Sequence, residues 1–185
     1  MKIVVITGSG RARGSSCYLA ERFIAGAVDS GNEVYRFDAG LEEVRPCRGC
    51  GTCRSTGCCV IKDSYSKLVP KILEADEIVW ATPIYYMTMT ASLKIIIDRF
   101  YQMEISPRFW GKKKYVVLAT AWDRDPKVFD ILMDTFMAFC KFLKWEKEGE
   151  VLAAGIESRS QIINSNYGNM AYELGKIQMS RIVHE

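Results

Sequence analysis

The chain has 185 residues, of which 49% are hydrophobic and 25% charged, with 25 Lys and Arg against 22 Asp and Glu for a formal charge of +3 at pH 7. That length suits one domain with a single core, the composition argues against disorder and membrane residence, and the charge is too mild to argue for nucleic acid. No run approaches bilayer length, and the apolar stretch after Lys2 stops at Ile6, short of a signal peptide, so the expectation is a cytoplasmic chain whose thiols are kept reduced.

In chain order, Lys2 to Thr7 reads as a β-branched strand buried on both faces, and Ser15 to Asp29 follows with helical periodicity through Leu19, Phe23, Ile24 and Ala27. Glu33 to Phe37 is a second strand, succeeded at once by a cysteine-rich segment over residues 46–62. Asp63 can cap a helix to about Ala75, in which Pro70 must kink the helix or start its second piece. Glu77 to Thr82 is a third strand, Ala91 to Tyr101 a helix, Tyr115 to Ala121 a fourth strand and Lys127 to Leu143 a helix. Glu148 to Ala154 is a fifth strand, and a last helix covers about Asn169 to Ile182. The basic run Lys112 to Lys114 reads as a solvated turn. Strict alternation of strands and helices predicts an α/β domain over 1–185 whose parallel sheet is covered on both faces.

Ligands of such sheets sit outside the carboxyl ends of the strands. The first such loop, TGSGRARGSS from Thr7 to Ser16, combines glycines 8, 10 and 14 with the hydroxyls of Ser9, Ser15 and Ser16, the charges of Arg11 and Arg13, and outward-pointing amides of the helix that follows. This is a cradle for phosphate. The dinucleotide fingerprint fits imperfectly, because its third glycine comes one residue late, although Asp38 could serve a ribose. A P-loop lacks its lysine, and no cysteine has an arginine six places on, as a phosphatase loop of this architecture needs. The loop after the third strand, Pro83 to Met87, is a rigid turn carrying flat or soft apolar groups that suit an aromatic heterocycle or a subunit interface. Cys47, Cys50, Cys53, Cys58 and Cys59 place five of the seven cysteines within thirteen positions. A reducing compartment and the adjacency of Cys58 and Cys59 disfavour a disulfide framework.

GSGRARGSS after the first strand, the C-x2-C-x2-C-x4-C-C run after the second, and TPIYYMTMTASLKIIIDR after the third, in this order, resemble the flavodoxin-like NAD(P)H-dependent FMN reductase superfamily, and in particular its iron-sulfur flavoprotein branch. The resemblance covers roughly the first hundred residues. It implies a three-layer α/β/α sandwich with strand order 2-1-3-4-5. It further implies that Ser9, Arg11, Gly14, Ser15 and Ser16 wrap an FMN phosphate, although relatives usually carry Asn-Thr at Ser15-Ser16. Pro83, Ile84, Tyr85, Tyr86 and Met87 would lie along the isoalloxazine ring, with backbone amides near its reactive edge. Thr120, Ala121 and Trp122 would form the third wall, where many relatives have glycine and where Trp122 can either stack on the flavin or block it.

The same resemblance implies a 4Fe-4S cluster on Cys47, Cys50, Cys53 and Cys59, with Cys58 as the alternative fourth ligand. Gly49, Gly51 and Gly57 would let the loop coil, and Arg45, Arg48, Arg54 and Lys62 would offset the cluster's negative charge. Zinc competes weakly, since the usual dozen-residue interval between knuckles is missing, and inert or redox-active thiols remain a third reading. Cys17 and Cys140 lie in apolar helical stretches as core residues, and His184, the only histidine, lies at a terminus and offers no general acid-base group. The expectation is therefore an FMN-dependent oxidoreductase, with NAD(P)H or a small redox protein as electron partner, and a homodimer or homotetramer. A cluster-free FMN or quinone reductase, a non-catalytic flavodoxin-type carrier or sensor, and a dinucleotide-binding dehydrogenase are the alternatives.

Overall fold

The computed structural model describes residues 1–176. Five strands, β1 (Lys2–Thr7), β2 (Glu33–Asp38), β3 (Glu77–Pro83), β4 (Lys114–Thr120) and β5 (Glu146–Ala153), form one parallel sheet in the order β2-β1-β3-β4-β5. Each crossover carries helix: α1 (Ser15–Asp29) after β1, α2 (Thr52–Thr56) and α3 (Tyr65–Glu74) after β2, α4 (Ala91–Asp98) after β3 and α5 (Asp130–Leu143) after β4. Two further helices, α6 (Arg159–Ile163) and α7 (Tyr167–Lys176), follow β5. This is the flavodoxin-like α/β/α sandwich with strand order 2-1-3-4-5 that the sequence predicts.

The alternation of side chains along each strand feeds two cores. Val4, Ile6, Ile78, Trp80 and Val117 join Leu68, Ile72, Leu93, Ile96 and Phe136 beneath α3, α4 and α5. Ile3, Val5, Val79, Val116 and Leu118 join Leu19, Phe23 and Ala171 beneath α1 and α7. Because the middle strands are covered on both faces, their sequences read as continuous apolar runs instead of alternating ones. Trp80 anchors the first core, with its ring 5.9 Å from Phe100, 5.8 Å from Phe136 and 6.0 Å from Phe139. Among the described residues no helix is long and apolar enough to cross a membrane.

Several boundaries differ from the sequence reading, for physical reasons. The helix predicted from Ala91 to Tyr101 is α-helical only to Asp98 and tightens into a 3-10 turn over Arg99–Gln102, where Arg99 is drawn inward to a buried partner. The helix predicted from Lys127 opens instead with a 3-10 turn, Pro126–Phe129, capped by the Asp125 carboxylate accepting from the Lys127 amide at 3.0 Å. Pro70 lies inside α3, which runs on to Glu74, so it starts no second helix. The last helix, expected from about Asn169, begins at Tyr167 as α7, and an unexpected α6 precedes it because Ser158 and Gln161 form a capping box that begins a helix at Arg159. The predicted stretch beyond residue 176, and His184, lie outside the described residues. Of the basic run Lys112 to Lys114, only Lys112 is an exposed turn residue as expected. Lys113 is buried with its Nζ donating to the carbonyls of Ala75 at 2.6 Å and Leu73 at 3.3 Å, at the end of α3, and Lys114 pairs with Glu148 at 2.8 Å. Burial lowers the pKa of Lys113.

Helices α1 and α7 pack backbone against backbone. A Cβ on Gly26 would stand 2.0 Å from the Tyr172 carbonyl oxygen, and one on Gly175 would stand 2.3 Å from that of Phe23. Intrinsic propensity favours alanine at Gly26 by about 1 kcal/mol. Steric overlap with a backbone oxygen reverses that sign, so Gly26→Ala is expected to lower stability by about 1–3 kcal/mol, measured as a drop in the urea midpoint at constant m-value.

Candidate functional site

The loops after β1, β3 and β4 enclose a cavity of about 210 Å³ at the carboxyl edge of the sheet. Ser9, Arg11, Gly14, Ser15, Ser16, Pro83, Ile84, Tyr85, Thr120 and Trp122 line it together, all of them singled out in the sequence, along with Ile156 and Glu157, which were not. Tyr86, Met87 and Ala121 line instead a neighbouring apolar cleft, shared with Ile84, Trp122, Asp123 and Val128. Trp122 borders both spaces with 74% of its surface exposed.

The first loop is organised by its own polar groups. Ser9 Oγ donates to the Arg11 carbonyl at 3.2 Å and accepts from the Arg11 amide at 3.1 Å, and the Gly14 amide donates to the Arg11 carbonyl at 2.9 Å. Only glycine fits at position 14, since a Cβ there would lie 2.6 Å from Ser9 Oγ. Gly14 is also the N-cap of α1 and offers no side chain to the helix amides, so the amino end of a fifteen-residue helix is left open toward the cavity. Ser16 is 1% exposed, and its Oγ has no hydrogen-bond partner. A hydroxyl buried without a partner at a helix amino end, beside Arg11, is matched to an anion. Arg159 steadies this arrangement, its guanidinium donating to the Gly14 carbonyl at 3.3 Å and pairing with Glu21 at 2.5 Å.

The second wall is a two-residue turn in which Tyr86 (φ 45°) and Met87 (φ 71°) are both left-handed, closed by pairing of Tyr85 with Thr88. Non-glycine residues in that region store backbone strain. The amides of Ile84 and Tyr85 donate to the carbonyls of Thr120 and Thr88. Asp38 Oδ1 accepts from Thr7 Oγ1 at 2.7 Å and from Arg36 Nε at 2.8 Å, so this carboxylate is partly engaged within the sheet.

The cysteine segment leaves β2 and coils through three left-handed glycines, Gly49 (φ 64°), Gly51 (φ 71°) and Gly57 (φ 72°), the last two bounding α2. All seven cysteines are free, with Cys17 and Cys140 buried. The Cys53 thiol is pushed up by burial and then by the proximity of Cys59, Cys47 and Cys50. Cys50 is exposed and is pulled down chiefly by the Thr52 amide and hydroxyl at the start of α2. Cys58 is exposed, whereas Cys59 is half-buried. Among the described residues no three His, Cys, Asp or Glu side chains converge tightly enough to hold one metal ion.

The segment is fastened at its base. Arg99 and Asp63 form a buried pair at 2.6 Å, their side chains 2% and 0% exposed, and Asp63 also accepts from the amides of Arg45 at 2.9 Å and Tyr65 at 3.2 Å. Burial opposes ionisation of Asp63, but the Arg45 amide and Arg99 outweigh it and hold the carboxyl below its usual range. Sequence reading saw Asp63 as a cap and missed Arg99, which lies 36 residues further on.

The sequence profile of the NADPH-dependent FMN reductase family matches residues 1–141. An iron-sulfur flavoprotein of Archaeoglobus fulgidus is 34% identical over 112 residues, 60% of this chain and 51% of that protein. The YwqN protein of Bacillus subtilis is 29% identical over 163 residues, 84% of this chain and 86% of that protein. The chain spans about half the length of the iron-sulfur flavoproteins it matches. Among solved structures, the Trp repressor binding protein from Bacillus subtilis superposes with a TM-score of 0.70 at 26% identity, covering 94% of this chain and 99% of that one.

Removing the Asp63 carboxylate leaves Arg99 buried without its partner, a change that costs about 3–5 kcal/mol. Asp63→Asn is expected to lower the urea midpoint accordingly and to speed tryptic cleavage at Arg48 and Arg54 at neutral pH. The folded pKa is depressed, so the wild-type contribution is present above the ordinary aspartate value of about 3.9 and is lost as pH falls through the lower folded value. The stability difference between the two proteins should therefore shrink in acid.

Proposed function

The chain belongs to the NADPH-dependent FMN reductase family, whose profile matches residues 1–141, and from that membership we propose that it is an FMN-dependent oxidoreductase carrying a 4Fe-4S cluster on its cysteine segment. The observation that carries the flavin reading is the unpartnered, buried Ser16 Oγ at the open amino end of α1. Bound FMN supplies hydride acceptance and one-electron transfer, chemistry that no side chain provides. The protein's part is to hold and orient. Ser9, Arg11, Ser15, Ser16 and the first amides of α1 would grip the phosphate, and Gly14 lets it approach the backbone. Pro83, Ile84 and Tyr85 would lie against one side of the ring, with Thr120 and Trp122 on another. Trp122, Tyr86 and Met87 border an apolar cleft that suits the nicotinamide of NAD(P)H or another planar electron partner. The exposure of these three side chains supports closure of the site by a second copy of the chain in a homodimer or homotetramer.

A 4Fe-4S cluster carries single electrons. Cys47, Cys50, Cys53 and Cys59 would hold it, and the half-burial of Cys59 against the full exposure of Cys58 favours Cys59 as the fourth ligand. Arg48 and Lys62 would offset its charge from the exposed side. With a cluster present, a small one-electron redox protein becomes the natural partner beside NAD(P)H.

The test is an absorption spectrum of anaerobically purified protein, with flavin, iron and acid-labile sulfide assayed on the same sample. About one flavin and four iron per chain is the expected result. Flavin without iron would leave a cluster-free reductase, and bleaching by NADPH at a useful rate separates either enzyme from a passive carrier. Ser16→Ala is expected to weaken FMN binding about tenfold, because a hydrogen bond to a charged group is lost, while the flavin-free protein stays as stable or becomes more so. Cys59→Ser should abolish iron retention and Cys58→Ser should spare it, as read by iron content.

A further inference from the structure

The loop after β5 brings Ile156 and Glu157 to the cavity at the carboxyl edge of the sheet, and the charged residues that line this cavity are Arg11 and Glu157. A carboxylate is out of keeping there, since it opposes the anion that Ser16 and the open amino end of α1 favour. Its position is fixed all the same. The Gly155 amide donates to the Asp123 carbonyl at 2.7 Å and the Ile156 amide to the Ala121 carbonyl at 2.8 Å, which ties the loop to the wall after β4. The amides of Glu157 and Ser158 donate to Gln161 Oε1 at 2.8 Å and 3.0 Å, and Arg159 reaches the Gly14 carbonyl at the start of α1. Glu157 is thereby held between the Trp122 loop and the amino end of α1.

Its side chain is uncommitted. Arg159, two residues on, is paired with Glu21, and no ion pair to Glu157 forms among the described residues. Ser9 and Ser16 are 3% and 1% exposed, whereas Arg11 and Glu157 are both exposed. The cavity therefore has a buried floor of hydroxyls and a mouth at which one cation and one anion set the charge. A terminal phosphate seated on the floor keeps its charge away from the mouth. A phosphate that continues into a second one has to carry charge outward.

We propose that Glu157 is a charge sieve at the mouth, which admits a flavin ending in a single phosphate, FMN, and opposes one whose phosphate chain continues, FAD. This rests on the flavin reading given under the proposed function. A phosphate monoester carries nearly two negative charges at neutral pH, and the diphosphate of FAD carries one on each phosphate. The two ligands feel the overall field of the protein alike and differ in where their charge is placed. Discrimination then comes from a repulsive group set against the wrong ligand.

The Glu157 carboxylate holds no partner, so Glu157→Gln should leave the fold unchanged, as checked by the urea midpoint. Flavin-free wild type and variant are titrated calorimetrically with FMN and with FAD, at low and at physiological salt. The expected result is a wild type that prefers FMN and a variant that binds FAD about fivefold more tightly, the effect of one exposed unit charge at close range, while FMN affinity stays nearly constant. The gain should shrink as salt rises, and Glu157→Lys should extend it. An equal change for both flavins overturns the inference, because it reports overall charge alone. Weaker FMN binding by the glutamine variant overturns it as well, because the carboxylate then serves as an acceptor for the flavin's own hydroxyls. Each of these results leaves the flavin reading intact, whereas a wild type that binds neither flavin overturns that reading and the inference with it.

Discussion

The ladder between β1 and β3 is the constraint on which the rest depends. From Ile3 to Thr7, β1 is buried without a break, as is β3 from Glu77 to Thr82, so neither strand can present polar chemistry along its length. Their carboxyl ends are the first places where the chain can meet a ligand. At this point the path divides, because α1 packs beneath one face with β1's odd residues while α4 packs beneath the other. The division opens a crevice between neighbouring loops. The Gly8 amide donates to the Ala81 carbonyl at 2.8 Å, which carries the ladder one step past the end of β1 and sets the loop after β1 against the base of the β3 turn. The Ile84 amide does the same toward Thr120 of β4. Three separate loops thus become one cavity through backbone bonds, before any side chain is considered.

The cysteine segment lacks this support, since no residue of α2 is buried. Its order comes from the Asp63 and Arg99 pair. A buried pair gains little over a well-packed apolar contact, because desolvation offsets much of the attraction. Its effect here is directional. Asp63 collects the Arg45 amide before the cysteines, the Tyr65 amide after them and Arg99 from across the core, so one carboxylate fixes where the segment begins, where it ends and which side faces the protein. An apolar contact at the same place would let the segment slide.

Much of this was readable in the sequence, and the parts that were not share a cause. The strands were legible because β1, β3 and β4 bury both faces and leave runs such as KIVVIT and YVVLAT, and the loop after β1 because its glycines and hydroxyls are contiguous. Arg99, Arg159 and Glu157 were missed because each acts across 36 or more residues of chain or from a helix start with no local periodicity. Lys113 was misread for the same reason, since a lysine that caps a distant helix end looks in sequence like any surface lysine. The only local sign of α6 was Ser158 followed by Gln161, a capping pattern with too short an apolar run behind it to register as a helix. Conversely, Asp38 looked available because its end-of-strand position is conspicuous, while one partner, Thr7, is brought beside it by the parallel pairing of β1 with β2 and the other, Arg36, lies two residues back on its own strand.

That pairing also joins the two candidate sites. The Gly40 amide donates to the Thr7 carbonyl at 3.3 Å, and a Cβ on Gly40 would lie 2.2 Å from the Ser9 carbonyl oxygen, so the chain leaving β2 touches the loop after β1 directly. Seven residues later it reaches Cys47. Contact at this closeness leaves no room for the cysteine segment to shift at its root without moving Ser9, and Ser9 is the residue whose hydroxyl shapes the loop through Arg11. The β1 end of the cavity and the start of the cysteine segment are therefore joined by backbone contact, and the far end of the segment is held by Asp63 and Arg99.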